Sequence, residues 1–200
     1  MSIPLGTKDR IQYIVDYNPI VLFMKGSRSK PQCGFSATVV AILDLFLQQY
    51  AYINVLQDEE LRRGIKAYSD WPTVPQLYVK GQFVGGCDIV KQLYVQGELF
   101  ELLGVDKPTN CKPNVVVTQP AQEALANILQ DAPSGEYVRL QVDARGLPSL
   151  KLEQQYPHDL QLQQDGITFV FDPLSASRAQ GLRVDYVQEA NQSRFAIRYV

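Results

Sequence analysis

The spacing of apolar residues along the first half of the chain predicts several helices. Apolar residues repeat at helical spacing over residues 8–18 and predict an amphipathic helix. The segment DEELRRGIKAYS predicts a charged helix that Asp58 caps, and DIVKQLYVQGELFELLG predicts closing helical segments. The segment after Cys33 predicts a helix with one apolar face, formed by Phe35, Val39, Leu43, Phe46, Leu47 and Tyr50.

The same half contains short apolar runs that predict strands. PIVLFMKG and AYINVL are continuous apolar runs, which are typical of strands that a fold covers on both faces. PQLYV and QFVGG stand on either side of Lys80 and Gly81 and predict a hairpin. The first half is therefore expected to mix helices and strands.

A different pattern begins after GVDKPTNCKPNV, a segment whose Pro, Asn and Gly content predicts a linker. VVVT predicts a strand, and QPAQEALANILQDAP predicts a helix with Pro120 in its first turn. Six segments predict further strands: EYVRLQVDA, SLKLEQ, DLQLQQ, ITFVFD, LRVDYV and RFAIRYV. We therefore expect a first domain over residues 1–106, a linker over 107–114, and a mostly β, α+β domain over 115–200.

Composition and charge exclude several classes of function. The formal net charge of −2 gives no indication of a nucleic-acid partner. The three cysteines are too few for a disulfide scaffold, so a reducing, cytoplasmic setting is expected. The start MSIPLGTKDRIQYIV has no basic segment followed by an apolar core, which predicts no signal peptide. The longest apolar run is broken by Asp44, so no membrane span is expected.

The clearest candidate for chemistry is Cys33, which stands just before a predicted helix. Ser36 occupies the place where a dithiol redox protein has its second cysteine. The free N–H groups and the dipole of a helix start favour an anion, so the pKa of the thiol is expected to be lowered. Lys25 ends the preceding strand and would add positive charge nearby. The alternative is a buried, inert cysteine.

Two further segments point to a peptide-like ligand. In WPTVPQLYV, a cis Val74–Pro75 bond would turn the Val74 backbone outward to pair with an extended ligand, whereas a trans proline would simply open a strand. In VGGCDIV, two glycines precede Cys87 and Asp88 at another predicted helix start. Such a start suits a carboxylate and Asp88 suits an ammonium group, although an ordinary turn and helix cap would need the same residues.

In their order and spacing, NPIVLFMKGS, CGFS, WPTVPQLYV and GGCDIV match the monothiol glutaredoxins of the CGFS type. Residues 8–104 resemble this family. The resemblance implies a thioredoxin-like α/β fold, with a four-stranded mixed sheet and helices on both faces. It also implies that glutathione is bound.

The resemblance assigns roles to particular residues. Lys25 and Arg62 would hold glutathione carboxylates, with Arg62 at the glycine end. The Val74 backbone would pair with the cysteinyl unit, and Cys87 and Asp88 would bind the γ-glutamyl end. A tripeptide with two carboxylates and one ammonium group needs cations, a helix start and an acid, which are the groups that these positions supply.

The resemblance also implies an iron–sulfur function. In this family two thiolates equivalent to Cys33 and two glutathione thiols hold one [2Fe–2S] cluster between two protomers, which completes the usual ligation by four thiolates. Cys33 would then be the metal ligand that each chain contributes. We expect a cluster carrier that acts as a homodimer, or with a BolA-type partner, and passes the cluster to apo iron–sulfur proteins.

The second half resembles the A-type (HesB-like) iron–sulfur carriers, through YVRLQV, QQDGITFVFDPLS and LRVDYV. That family has a cysteine in a turn where this chain has DARGLPSLKL, and a cysteine pair near its C-terminus. Here no cysteine follows Cys111. The expectation is a degenerate carrier domain without cluster ligands, kept for association. Cys111 is expected to be a surface thiol of the linker, and His158 a surface residue of a turn rather than a metal ligand.

Several alternatives stay open at this point. Cys33 could act as the nucleophile of a glutathione-dependent disulfide oxidoreductase, since glutathione itself can resolve the mixed disulfide. We expect this activity to be weak or absent, because the SRSKP loop before Cys33 would crowd the bound glutathione. The protein could instead be an iron- or redox-sensing adaptor. Arg63 stands beside Arg62, so the assignment of the arginine is open by one position.

Overall fold

The structure is a computed structural model that describes residues 6–109, 111–189 and 192–200. It divides into two compact units, Met1–Val105 and Asp106–Val200, which we describe separately. Among the described residues, none of the helices combines the length and the apolar character that a membrane crossing requires.

The first unit contains five helices and four strands among its described residues. The helices are α1 (Thr7–Tyr17), α2 (Gly34–Phe46), α3 (Glu59–Ser69), α4 (Cys87–Gln96) and α5 (Leu99–Leu103). The strands are β1 (Ile20–Met24), β2 (Ala51–Asn54), β3 (Gln76–Val79) and β4 (Gln82–Gly85). They form one sheet in the order β2-β1-β3-β4, in which β1 is parallel to β2 and antiparallel to β3. The predicted α/β fold with a four-stranded mixed sheet is confirmed.

Strand β1 shows why the sheet is buried on both sides. Val21, Leu22, Phe23 and Met24 are all fully buried, although successive side chains of a strand point to opposite faces. Val21 and Phe23 pack in a cluster with apolar residues of α1 and α3. Leu22 and Met24 face the other way and are equally buried, so both faces of the sheet are covered. This burial explains the continuous apolar run in the sequence.

The predicted apolar face of the helix after Cys33 is wrong at both ends. Phe35 lies in the first turn of α2 and is 62% exposed. At the other end α2 stops at Phe46, Leu47 is its C-cap, and Tyr50 lies beyond the helix. Tyr50 fits the helical spacing in the sequence, but its ring packs against the Arg28 guanidinium rather than on a face of α2.

The second unit is mostly β, as predicted. Its elements are β5 (Asn114–Val117), α6 (Gln119–Gln130), β6 (Glu136–Val142), β7 (Pro148–Gln154), β8 (Leu160–Gln164), β9 (Ile167–Phe171), α7 (Pro173–Arg178), β10 (Gln180–Glu189) and β11 (Gln192–Tyr199). One sheet has the order β11-β10-β5 and the other β7-β6-β9-β8. The resemblance of this unit to A-type carriers stays a prediction.

Helix α7 was absent from the sequence prediction. Asp172 is its N-cap and accepts hydrogen bonds from the backbone N–H groups of Leu174 (3.1 Å) and Ser175 (3.0 Å). Pro173 occupies the first turn. An Asp followed by Pro is a helix-start signal, but six residues are too few to show a helical period in the sequence.

Two side chains of the second unit bear on the predictions. Cys111 was expected to be a surface thiol. Its thiol is free, but the residue is half-buried and packs against the core of this unit. The linker composition masked this contact, because packing against distant strands leaves no local pattern. His158 is exposed in a turn, as expected, with its Nδ1 3.0 Å from the Lys107 Nζ.

Candidate functional site

Two neighbouring cavities of the first unit open beside the start of α2. Their volumes are about 250 Å³ and about 150 Å³. The residues that line both are Phe35, Thr73 and Val74. The first cavity is also lined by Lys25, Cys33, Arg62, Lys66 and Pro72. The second is also lined by Trp71, Pro75, Gly86, Cys87 and Asp88. The structure therefore brings all six residues of the predicted site together along one elongated site.

Cavity volume alone would not identify this site. A larger cavity of about 690 Å³ lies between the β3–β4 hairpin and the α4–α5 segment, where Phe83, Leu93 and Glu98 are among its lining residues. No cysteine lines that cavity. The two smaller cavities are lined by the Cys33 thiol, by three cationic side chains and by the Asp88 carboxylate. A thiol and charged groups can react with or bind a charged ligand, so we assign the functional site to these two cavities.

Cys33 is the N-cap residue of α2 and has extended backbone angles. The backbone N–H of Ser36 is the main cause that lowers the pKa of the Cys33 thiol. Burial opposes this shift, whereas the N–H of Phe35 and the charge of Lys25 reinforce it. The helix start thus favours the thiolate, which is the direction that the sequence predicted.

Ser36 does more than replace a second cysteine. Its side chain is fully buried, and its Oγ accepts a hydrogen bond from the Lys25 backbone N–H at 3.2 Å. This bond joins the end of β1 to the first turn of α2. Ser36 therefore holds Lys25 and Cys33 on the same side of the site.

Helix α3 carries two of the three cations that line the first cavity. Asp58 caps it by accepting from the Leu61 N–H at 2.9 Å, as predicted. Arg62 and Lys66 are four residues apart, which places them on one face of the helix, and both line the cavity. Arg63 is exposed and lines neither of the two cavities. The structure therefore favours Arg62 over its neighbour.

The segment before β3 forms the wall between the two cavities. The Val74–Pro75 peptide bond is cis. Val74 lines both cavities, although only 7% of it is exposed and its side chain belongs to the core cluster of the first unit. The predicted contact through the Val74 backbone therefore needs no exposed side chain.

Two glycines shape the start of α4 at the second cavity. Gly85 has φ +152°, and a Cβ there would lie 2.6 Å from the Cβ of Ile89, so no other residue fits. Gly86 is the N-cap of α4, and Asp88 lies in its first turn. The helix start that was predicted to receive a carboxylate is therefore present, with an acid beside it.

The two thiols of the site have opposite tendencies. Burial is the main cause that raises the pKa of the Cys87 thiol, and the charge of Asp88 raises it further. Cys33 ionises more readily than an ordinary thiol and Cys87 less readily. Cys33 is therefore the thiol suited to ligate a metal or to attack a disulfide.

Sequence reasoning missed several residues of the site: Phe35, Lys66, Trp71 and Thr73. The position of Lys66 one turn after Arg62 was a usable signal. Phe35 was assigned to a buried helix face, and only its observed exposure places it at the site. Among the described residues no group of three or more His, Cys, Asp or Glu side chains could hold a metal ion. Cys33 alone would therefore not complete a metal site.

Comparison with known proteins identifies the family. A Glutaredoxin family model matches residues 20–84, which include Cys33, Arg62 and Val74. The chain is 56% identical over 93 residues to probable monothiol glutaredoxin 2 of Rickettsia typhi, covering 46% of this chain and 84% of that protein. It is 52% identical over 99 residues to the uncharacterized monothiol glutaredoxin ycf64-like of Synechocystis, covering 50% and 92%. The chain belongs to the monothiol glutaredoxin family.

Solved structures match over about half of the chain as well. The solution structure of reduced poplar apo GrxS14 is 46% identical with a TM-score of 0.46, covering 52% of this chain and 95% of that chain. The crystal structure of a buckwheat glutaredoxin–glutathione complex is 26% identical with a TM-score of 0.44, covering 49% and 87%.

Proposed function

We propose that the protein binds glutathione along the elongated site beside Cys33. The observation that carries the proposal is the separation of charge along the two cavities. Lys25 and Arg62 line the first, and Asp88 lies at the helix start in the second. Glutathione has a carboxylate at its glycine end, and a carboxylate with an ammonium group at its γ-glutamyl end. Its thiol, between these ends, would lie beside Cys33.

The contacts follow from this orientation. Lys25 and Arg62 bind the glycine-end carboxylate, and the Val74 backbone pairs with the cysteinyl unit. The backbone N–H groups of Cys87 and Asp88 donate hydrogen bonds to the γ-glutamyl carboxylate, because a helix start favours an anion. The Asp88 carboxylate accepts from the ammonium group.

We further propose that the protein carries a [2Fe–2S] cluster as cargo. Such a cluster needs four thiolates, and Cys33 is the thiol of this site with a lowered pKa. Two protomers supply two Cys33 thiolates, and two bound glutathiones supply the other two. A cluster held between two copies and two small molecules is readily released, which suits transfer to apo iron–sulfur proteins. A BolA-type protein could replace one protomer.

Anaerobic reconstitution of the full chain with iron, sulfide and glutathione tests this function. We expect visible absorption, a dimeric mass and about two irons per dimer. Cys33→Ser should give no colour, whereas Cys111→Ser should reconstitute like the wild-type protein. A wild-type chain that stays colourless with Cys33 intact would contradict the proposal. A heterodimeric mass after addition of a BolA-type protein would show that the heterocomplex forms in place of the homodimer.

The lowered pKa of Cys33 also supports a second candidate, glutathione-dependent disulfide exchange. In that reaction the Cys33 thiolate attacks the glutathione sulfur of a protein–glutathione mixed disulfide and releases the protein thiolate. A second glutathione thiolate then attacks the Cys33 mixed disulfide, which releases Cys33 and leaves oxidised glutathione. Rapid turnover in a glutathione-coupled assay would favour this enzyme over the carrier.

For the second unit we propose association rather than cluster ligation, because no cysteine follows Cys111. This unit would recruit a recipient protein or a second copy while the first unit holds the cluster; in the adaptor alternative the first unit senses iron or redox state. All three cysteines are free, which fits a reducing compartment such as the cytoplasm. Cross-linking of the reconstituted full chain to candidate apo proteins, with sites mapped to each unit, tests this role.

A further inference from the structure

The loop that precedes Cys33 is closed on itself at its base. Gly26 forms an isolated bridge with Pro31, and the Gln32 N–H donates to the Lys25 carbonyl at 2.9 Å. Gly26 has φ +89°, and a Cβ there would lie 2.5 Å from the Lys30 carbonyl oxygen. The closed base requires glycine at that position and leads directly into Cys33.

The middle of the same loop is fixed by Arg28, which reaches the far end of α2. Its Nε donates to Asp44 Oδ1 at 2.7 Å, and its two terminal nitrogens donate to the carbonyls of Gln48 (2.7 Å) and Leu47 (3.1 Å). The guanidinium carbon lies 4.5 Å from the centre of the Tyr50 ring. The Tyr50 hydroxyl donates to Asp44 Oδ1 at 3.1 Å. All three nitrogens and the flat face of the arginine are therefore used.

These contacts suit an arginine and no other side chain. Leu47 is the C-cap of α2, and a carbonyl at a helix end lacks a donor within the helix. The helix dipole makes this end favourable for a cation. Asp44 is only 8% exposed, so its carboxylate needs a partner. A lysine would bring a point charge but neither the planar fork nor the stacking surface.

We propose that Arg28 is a positioning residue for the Cys33 site. Cys33 caps the first turn of α2, and Arg28 fastens the preceding loop to the last turn of the same helix. Loop and helix then move as one body, so the Cys33 sulfur keeps one position relative to its cluster. This inference rests on the proposed carrier function and adds a determinant of how long the cluster is held.

The test compares cluster loss from reconstituted full-length variants. Arg28→Ala should release the cluster about tenfold faster than the wild-type protein, the low end of the effect of residues that orient metal ligands from outside the site. Lys30→Ala, at an exposed residue of the same loop, should match the wild type. Arg28→Lys should recover only part of the lifetime. A lifetime unchanged in Arg28→Ala would overturn the proposal.

Asp44→Asn separates positioning from simple electrostatics. Arg28→Ala removes a positive charge at the far end of α2, whereas Asp44→Asn leaves the arginine charge uncompensated. If Arg28 acts by holding the loop, both variants shorten the cluster lifetime and both change the visible circular dichroism of the cluster. Opposite effects on the lifetime would mean that charge alone acts, and the proposal would fail.

Amide hydrogen exchange in the metal-free protein keeps the proposal testable if no cluster forms. Release of the loop should make the Gln32 amide, next to Cys33, exchange several-fold faster in Arg28→Ala and Asp44→Asn, while the core amides of β1 keep their protection. Unchanged Gln32 exchange would overturn the positioning role. A colourless wild-type protein with the expected exchange pattern would instead refute the carrier function and leave the role of Arg28 in place.

Discussion

Two groups of charged side chains, one in each unit, are arranged in opposite ways. In the first unit, Lys25, Arg62 and Asp88 line an open site, and none of the three is in an ion pair among the described residues. In the second unit, Arg139 is fully buried and pairs with Asp159, whose side chain is 2% exposed, through Nη2 at 2.5 Å. The first set lines the cavities without an ion pair among the described residues, whereas the second set is paired within the chain.

The Arg139 cluster pairs buried charges within the second unit. Arg139 Nε lies 2.8 Å from Glu153 Oε2, and its guanidinium carbon lies 4.3 Å from the centre of the Tyr156 ring. Burial alone would raise the pKa of Glu153, but hydrogen bonds from Tyr156 and Lys151 and the charges of Lys151 and Arg139 lower it. The charges of this cluster are paired with one another, in contrast to the three charged residues of the first set, which line the cavities of the first unit.

The largest effect is expected on the stability of the second unit, when the buried charge of Arg139 is removed. Arg139→Met should destabilise the second unit by about 3–5 kcal/mol, because it leaves the buried Asp159 carboxylate without its ion-pair partner. Trp71, the single tryptophan of the chain, reports on the first unit by its fluorescence, and far-UV circular dichroism reports on both. Urea unfolding should therefore show a shifted dichroism transition and an unshifted Trp71 transition.

The matched control for this prediction is Arg145→Met. Arg145 is 48% exposed and pairs with Asp143 at 3.0 Å, so its loss should cost at most about 1 kcal/mol. Equal effects of the two substitutions would show that burial does not distinguish the Arg139 cluster.

The next largest effect is expected on glutathione binding, when Arg62 of the first cavity is removed. Arg62→Ala should weaken glutathione binding by about 2 kcal/mol, roughly 30-fold, because a charge-assisted hydrogen bond to a carboxylate is lost. Titration calorimetry of the full chain measures the change. Arg63→Ala should bind glutathione like the wild type, since Arg63 lines neither cavity. A larger loss of glutathione affinity in Arg63→Ala than in Arg62→Ala would mean that Arg63 binds the carboxylate instead of Arg62.

A smaller effect is expected at Cys111. Cys111→Ser should destabilise the second unit by about 1 kcal/mol, because a half-buried thiol that packs on the core becomes a hydroxyl. Chemical unfolding followed by dichroism measures this loss. Lys112→Ser, at the exposed neighbouring position, should leave stability unchanged. If Cys111→Ser reduced the cluster yield, a thiol of the second unit would take part in ligation and the contrast between the units would fail.

The smallest expected effect is a difference in ionisation between the two thiols of the site in the wild-type protein. A lowered pKa means that Cys33 is already ionised at a pH where an ordinary thiol is protonated, and a raised pKa means that Cys87 ionises later. Alkylation by iodoacetamide, followed peptide by peptide across pH, should therefore reach its midpoint at lower pH for Cys33 than for Cys87. Coincident midpoints would contradict the assignment of Cys33 as the reactive thiol.

Local signals in the sequence determined the order of helices and strands in both units, with the exception of the short helix α7. The apolar run of β1, the Asp58 cap and the hairpin around Lys80 each depend on neighbouring residues, so they could be predicted without the fold. The same holds for the direction of the Cys33 pKa, because a helix start follows directly in the chain. The monothiol glutaredoxin family was recognisable for the same reason, from short segments in a particular order.

Only the tertiary structure decided which side chains meet. It exposed Phe35 at the site, chose Arg62 over Arg63, added Lys66, and joined Arg28 to Asp44 across 16 positions of the chain. Helical periodicity defines which residues share a face, but not what that face packs against. That choice depends on contacts between segments far apart in sequence, and these form only when the sheet and its helices are assembled.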